Sequence, residues 1–163
     1  MKEKILIVDD ASFMIMMIAK ILEPNGYEII RALDGFQAVE QFREHKPALI
    51  FMDIIMPNCN GIDAIKEIKA IDSGAKIVML SAMGIASYIT DSLLAGAVDF
   101  IVKPFKEDRL LATAKRHLSE YVEIDLDEVR LWMDENPDAK VKRGVITPQS
   151  EIDALINRVT KPL

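Results

Sequence analysis

The sequence predicts an α/β fold built on a doubly wound parallel sheet, and three observations carry that expectation. Short apolar runs alternate with helical patterns five times between Lys4 and Leu118. Most of these runs are apolar throughout, without the alternation of a sheet that has one wet face, so helices cover both faces. Pro and Gly punctuate the joins between segments. In such a sheet the crossovers are right-handed, and ligands bind beyond the carboxyl ends of the strands.

Each element follows from its own pattern. "KILIVD" (Lys4 to Asp9) reads as a buried strand, and "SFMIMMIAKILEPNG" as a helix stopped by Pro24 and Gly26. "YEIIRA" is the second strand, followed by the helix "GFQAVEQFREH", which Pro47 ends. "ALIFMD" is a third buried strand. "GIDAIKEIKAID" is an amphipathic helix whose faces are traced by Ile62, Ile65, Ile68 and Lys69. "AKIVMLS" is a strand, "IASYITDSLLAG" a helix closed by Gly96, "DFIVK" a short strand, and "FKEDRLLATAKRHL" the fifth helix.

From about Ser119 the pattern changes. "EIDLDEVRLWMDEN" reads as a sixth helix, with Asp125 as its cap and Leu126, Val129 and Met133 in register. "NPDAKVKRGVITP" reads as a linker. In "TPQSEIDALINRV", Ile152, Leu155, Ile156 and Val159 recur at i, i+3, i+4 and i+7, one apolar stripe on a short helix. Thr147 suits the N-cap and Pro148 the first helical position. The expected organisation is a domain over 1–118, an added helix over 119–135, a linker over 136–148 and a tail helix over 149–163.

Bulk properties narrow the function classes. A chain of 163 residues suits one ordinary domain plus an appendage. The net charge of -6 gives no general pull toward nucleic acid or anionic membrane. Cys59 is the single cysteine, so no intramolecular disulfide forms and a reducing, cytoplasmic location is expected. "MKEKILIVDD" lacks a signal-peptide layout, and no run approaches the roughly 20 apolar residues of a membrane span.

The chemistry gathers at the strand ends. The first strand ends in Asp9 and Asp10, the third in Asp53, the fourth in Ser81 and the fifth in Lys103. Taken alone, Asp10 reads equally as a cap of the first helix, and Asp53 as the opening of a loop. Together they bring three carboxylates to one edge, which is costly unless a cation neutralises them. Oxygen ligands without His or Cys favour Mg²⁺. A metal ion, a lysine and a hydroxyl around an aspartate make a phosphoryl-transfer site, with the carboxylate as nucleophile.

"ILIVDD", "FMDIIMPNCNG", "IVMLSAMG" and "DFIVKPF" resemble the receiver domain of bacterial two-component response regulators, over Met1 to about Leu118. Within that family, "DDASFM", "MDIIMP", "NGIDAIKEIKAID" and "SAMG" are most similar to the single-domain chemotaxis regulators that act on the flagellar motor. The resemblance implies a flavodoxin-like (βα)5 sheet of strand order 2-1-3-4-5. It implies that Asp53 accepts phosphate from a chemotaxis histidine kinase. Mg²⁺ would be held by Asp10, Asp53 and the backbone carbonyl of Ile55, with Asp9 helping through water. Lys103 would pair with the phosphoryl oxygens, before a cis bond to Pro104. Ser81 would move to bond the phosphoryl group while Phe100, at the aromatic switch position, turns inward. The implied output face comprises Ala86, Tyr88, Ile89, Phe100, Val102 and Lys106.

Some residues depart from that pattern or stand outside it. The motor-binding regulators usually carry Tyr where this chain has Phe100, so a hydroxyl is missing. "FMIMMI" is unusually apolar for a first helix: either a core face with Met filler, or an extra patch that something covers. Cys59 reads as an incidental reduced thiol, and His45 and His117 as late-helix residues at the surface or a helix C-terminus.

In the tail, "QSEIDALI" resembles the N-terminal peptide of the flagellar motor switch protein, which the phosphorylated chemotaxis regulator binds. The alternative is a generic amphipathic helix packed on its own domain. The 13-residue linker spans up to roughly 43–47 Å extended, enough to reach the output face of the same chain or of another copy. The expected function is a phosphorylation-switched chemotaxis regulator, not an enzyme. Its partners would be a histidine kinase and the motor switch protein or another receiver, with self-association through the tail. A phosphate sink or decoy is the alternative. A DNA-binding regulator fits less well, because the tail is short and net acidic with no helix-turn-helix. A phosphatase would want a second acid two residues after Asp53, where Ile55 stands.

Overall fold

The computed structural model describes residues 1–82 and 86–118; the sixth helix, linker and tail helix expected from the sequence lie outside the described residues. Five strands alternate with five helices: β1 (Lys4–Val8), α1 (Ser12–Leu22), β2 (Glu28–Ala32), α2 (Gly35–His45), β3 (Leu49–Asp53), α3 (Gly61–Ile71), β4 (Ile77–Ser81), α4 (Ala86–Ala95), β5 (Asp99–Val102) and α5 (Glu107–Leu118). All pairings are parallel, in the order β2-β1-β3-β4-β5. This is the flavodoxin-like α/β fold, with the expected strand order.

The two-residue period of a strand explains why the inner runs are apolar on both sides. Leu6, Val8, Ile50, Met52, Ile77 and Met79 share one buried cluster with Ala38, Val39 and Phe42 of α2 and Ala64, Ile65 and Ile68 of α3. Their neighbours Ile5, Ile7, Leu49, Phe51, Val78 and Leu80 face the other way, onto Ile15, Ile18, Ala19 and Leu22 of α1 and Leu110 and Ala114 of α5. A polar residue in the middle of β1, β3 or β4 would therefore be buried in either orientation.

Helix ends follow their local chemistry. α1 gives way to a 3-10 turn over Glu23–Asn25, with Pro24 at its start, and Gly26 closes it at φ +94°. Asp34 caps α2 by accepting the Gln37 N–H at 2.8 Å, and the Gln37 side chain accepts the Leu33 N–H at 3.0 Å. α2 ends at His45; Lys46 follows in the left-handed conformation, φ +45°, with its N–H donating to the Phe42 carbonyl, and Pro47 cannot continue the helix. Asn60 caps α3 through the Asp63 N–H at 2.9 Å.

The apolar first helix has two characters. Ile15, Ile18, Ala19 and Leu22 are buried, whereas Phe13, Met16 and Met17 are exposed, Phe13 by 68 %. The sequence oddity is therefore a core face plus an extra apolar patch.

Candidate functional site

Parallel strands deliver their C-terminal residues to one edge of the sheet, so Asp9, Asp53 and Ser81 arrive there together. Asp9 follows β1 directly, Asp53 is the last residue of β3 and Ser81 the last of β4, and all three are buried. Lys103 follows β5, where its N–H donates to the Ser81 carbonyl at 2.6 Å. Its peptide bond to Pro104 is cis.

Asp9, Asp10 and Asp53 each offer a carboxylate oxygen within 4.8 Å of the others, with Asp9 and Asp53 buried and Asp10 exposed. Lys103 Nζ lies 2.7 Å from Asp9 Oδ2 and 3.6 Å from Asp53 Oδ2. Asp9 Oδ1 accepts the Ala11 N–H at 2.9 Å. One alternative left open by the sequence is resolved at the helix itself: the N-cap of α1 is Ala11, without a side-chain cap, so Asp10 does not cap this helix. Burial pushes the Asp53 carboxyl above the ordinary carboxylate range, and the Asp9 charge adds to this. Lys103 and the N–H groups of Ile55 and Ile54 pull it back only in part.

A hard-oxygen cluster that holds one lysine against three carboxylates keeps a net negative charge, which suits a divalent cation. The donor set fits Mg²⁺, and the acidic cluster is of the kind that receiver domains use for that ion.

Sequence reasoning missed two glycines. A Cβ on Gly61 would collide with the Asp53 carbonyl oxygen, so the start of α3 packs directly beneath the site. Gly35 stands nearly as close to Cys59. Cys59 is a free thiol, 5 % exposed, and belongs to the core cluster. Burial and the charges of Glu67, Asp63 and Asp34 push its thiol above the usual range.

The residues of the expected output face fall on three consecutive elements. Ala86 opens α4; Tyr88 is exposed and Ile89 half-buried on the same helix. On the edge strand β5, Phe100 packs against the core cluster and Val102 is exposed, and Lys106 is exposed just before α5. The four tail residues Ile152, Leu155, Ile156 and Val159 lie outside the described residues.

Fold and site together define a phospho-accepting signalling domain, and the chain belongs to the response regulator receiver domain family, whose sequence pattern matches residues 5–115. Within that family it is of the CheY-like chemotaxis type, a regulatory acceptor of phosphate on aspartate rather than an enzyme with an external substrate. It is 54 % identical over 120 residues to the chemotaxis protein CheY of Bacillus subtilis, covering 73 % of this chain and all of that protein. It is 51 % identical over 112 residues to CheY of Thermotoga maritima, covering 68 % and 93 %. Among solved structures it is similar to the CheX-CheY-BeF3-Mg²⁺ complex of Borrelia burgdorferi, with TM-score 0.69, 32 % identity, and 72 % and 90 % of the two chains covered. No helix among the described residues is long and apolar enough to cross a membrane.

Proposed function

We propose that Asp53 is the phosphoacceptor and that a chemotaxis histidine kinase supplies the phosphoryl group. An Asp53 carboxylate oxygen forms the new bond to phosphorus as the phosphorus–nitrogen bond of the phosphohistidine breaks, and the imidazole nitrogen leaves with the electron pair. The observation that carries this is the convergence of Asp53 with Asp9, Asp10 and Lys103 at one strand edge. Asp10, Asp53 and the Ile55 carbonyl would hold Mg²⁺, which when bound offsets negative charge on the phosphoryl oxygens. Asp9 takes the water-mediated role, in keeping with both of its oxygens already having protein partners.

Lys103 then serves the phosphoryl oxygens, and Ser81 moves to bond the phosphoryl group. Phe100 turns inward and remodels the face formed by Ala86, Tyr88, Ile89, Phe100, Val102 and Lys106. The target of that face is the flagellar motor switch protein or another receiver, in the cytoplasm. Incubation with Mg²⁺ and a small-molecule phosphodonor tests the core of this reading. One phosphoryl group should add to the intact protein, and Asp53→Asn should abolish the addition; phosphorylation that survives in Asp53→Asn would overturn it.

The role of the tail rests on sequence alone. In this reading Gln149 to Ile156 imitates the motor-switch peptide and docks on a receiver, coupled to phosphorylation. A chain ending at Thr147 should bind that peptide more tightly and lose phosphate at a different rate. No change in either quantity would sink the idea.

A further inference from the structure

The loop between β3 and α3, residues 54–60, leaves directly from Asp53 and carries the Ile55 carbonyl. Several of its fixings come from β4 and from the loop and its own helix. The Ile54 N–H donates to the Leu80 carbonyl at 3.2 Å, and the Gly61 N–H donates to the Ile54 carbonyl at 2.9 Å. The Cys59 N–H donates to the Pro57 carbonyl at 2.8 Å, across Asn58 at φ +68°. A further tie comes from a different helix. Gly35, the first residue of α2, donates its N–H to the Cys59 carbonyl at 3.3 Å.

That tie is also a tight steric stop. A Cβ placed on Gly35 would lie 2.6 Å from Cys59 Sγ, 2.7 Å from its carbonyl oxygen and 2.9 Å from its Cβ. One of these is backbone, so the clash cannot be relieved by rotating a side chain. The Asp34 and Gln37 caps hold the first turn of α2 in place behind it. Ile54, Met56 and Cys59 are buried in the same core cluster, while Ile55 turns outward from it. The loop is thus clamped on its core side, while the Ile55 side chain between the buried Ile54 and Met56 stands free.

We propose that the Gly35–Cys59 contact is a positioning element of the metal site: through it α2 sets where the loop presents the Ile55 carbonyl, and so makes the site selective for Mg²⁺. The inference rests on the metal reading above, in which that carbonyl is a ligand. Mg²⁺ demands near-ideal octahedral geometry at about 2.0–2.1 Å, whereas Ca²⁺ accepts irregular sets at about 2.3–2.6 Å. A small displacement of the loop therefore harms Mg²⁺ binding far more than Ca²⁺ binding. Contacts behind a metal ligand typically govern about 10- to 100-fold in affinity.

The test is an amide NMR titration of the full chain with Mg²⁺ and, separately, Ca²⁺, well below the onset of unfolding. Gly35→Ala should weaken Mg²⁺ about tenfold and Ca²⁺ far less, so the preference for Mg²⁺ falls. Cys59→Ala only removes atoms, and should move the preference in the same direction by a smaller factor even if Gly35→Ala fails to fold. Folded variants whose two affinities are unchanged, or fall by the same factor, overturn the inference, because a purely structural contact lowers Tm and leaves the preference alone. Wild-type Mg²⁺ binding that Asp10→Asn does not weaken would instead overturn the metal-site reading beneath it.

Discussion

Lys103 is held by Asp9: its Nζ lies 2.7 Å from Asp9 Oδ2, against 3.6 Å from Asp53 Oδ2. The Lys103 and Asp9 side chains are 13 % and 2 % exposed, so this ion pair is largely withdrawn from water. Removing one partner of such a pair leaves an uncompensated buried charge, at a cost of about 3–5 kcal/mol. Lys103→Met keeps the stem and removes the charge. It should lower stability by about 3 kcal/mol at neutral pH, measured by urea unfolding.

Asp53 makes the opposite prediction. Burial first, and Asp9 second, raise its folded-state pKa above the ordinary value. A carboxyl raised in this way binds more protons in the folded state, so it reduces stability as pH climbs from the ordinary carboxylate range through the raised value. Asp53→Asn should therefore be more stable than wild type at neutral pH, on the order of 1 kcal/mol or a few degrees in Tm. The advantage should fade in acid, below the ordinary range. A thermal scan at two pH values, without divalent ions, checks this; lower stability of Asp53→Asn at neutral pH would contradict it.

The first helix allows a direct contrast. Ile18 is fully buried between sheet and helix, while Phe13 and Met17 are exposed. Ile18→Ala should cost about 2–5 kcal/mol, whereas Phe13→Gln and Met17→Gln should each stay within about 0.5 kcal/mol. Chemical denaturation of the three variants separates the core face from the patch.

These cases mark where the sequence was readable. Asp9, Asp53, Ser81 and Lys103 stood out because a polar residue that ends an apolar strand has a predictable address in a parallel sheet. Helix lengths were equally legible, since Pro24, Gly26, Pro47 and Gly96 act through local backbone geometry. Pairwise choices were not legible. That Lys103 prefers Asp9 depends on a contact across 94 residues of chain. That α1 starts one residue beyond Asp10, with Ala11 as its N-cap, depends on where the chain turns after β1. The close approach of Gly35 to Cys59 was not legible either, because a glycine has no side chain to advertise the contact. The tail is a different case: its resemblance is short, and its residues lie outside those described.

His117 also looked like an ordinary late-helix residue, and its setting is more specific. Its Nε2 lies 3.1 Å from Asp99 Oδ2, joining the end of α5 to the start of β5, and Arg116 approaches the same oxygen at 3.5 Å. Lys76 Nζ donates to the His117 carbonyl at 2.6 Å and holds the helix end. Burial pushes Asp99 up, but the bonds from His117 and the Phe100 N–H, with the nearby charges of His117 and Arg109, outweigh it and lower its pKa. A lowered carboxyl contributes stability above its ordinary value and loses it as pH falls through the folded-state value. His117→Ala removes the largest of the lowering causes and leaves the burial. It should cost about 2 kcal/mol at neutral pH, and the difference from wild type should narrow in acid as Asp99 protonates in both proteins. Because Phe100 adjoins Asp99, amide NMR should also place the largest shifts of this variant at the start of β5. A variant with unchanged stability across that pH range would show that the clasp contributes nothing.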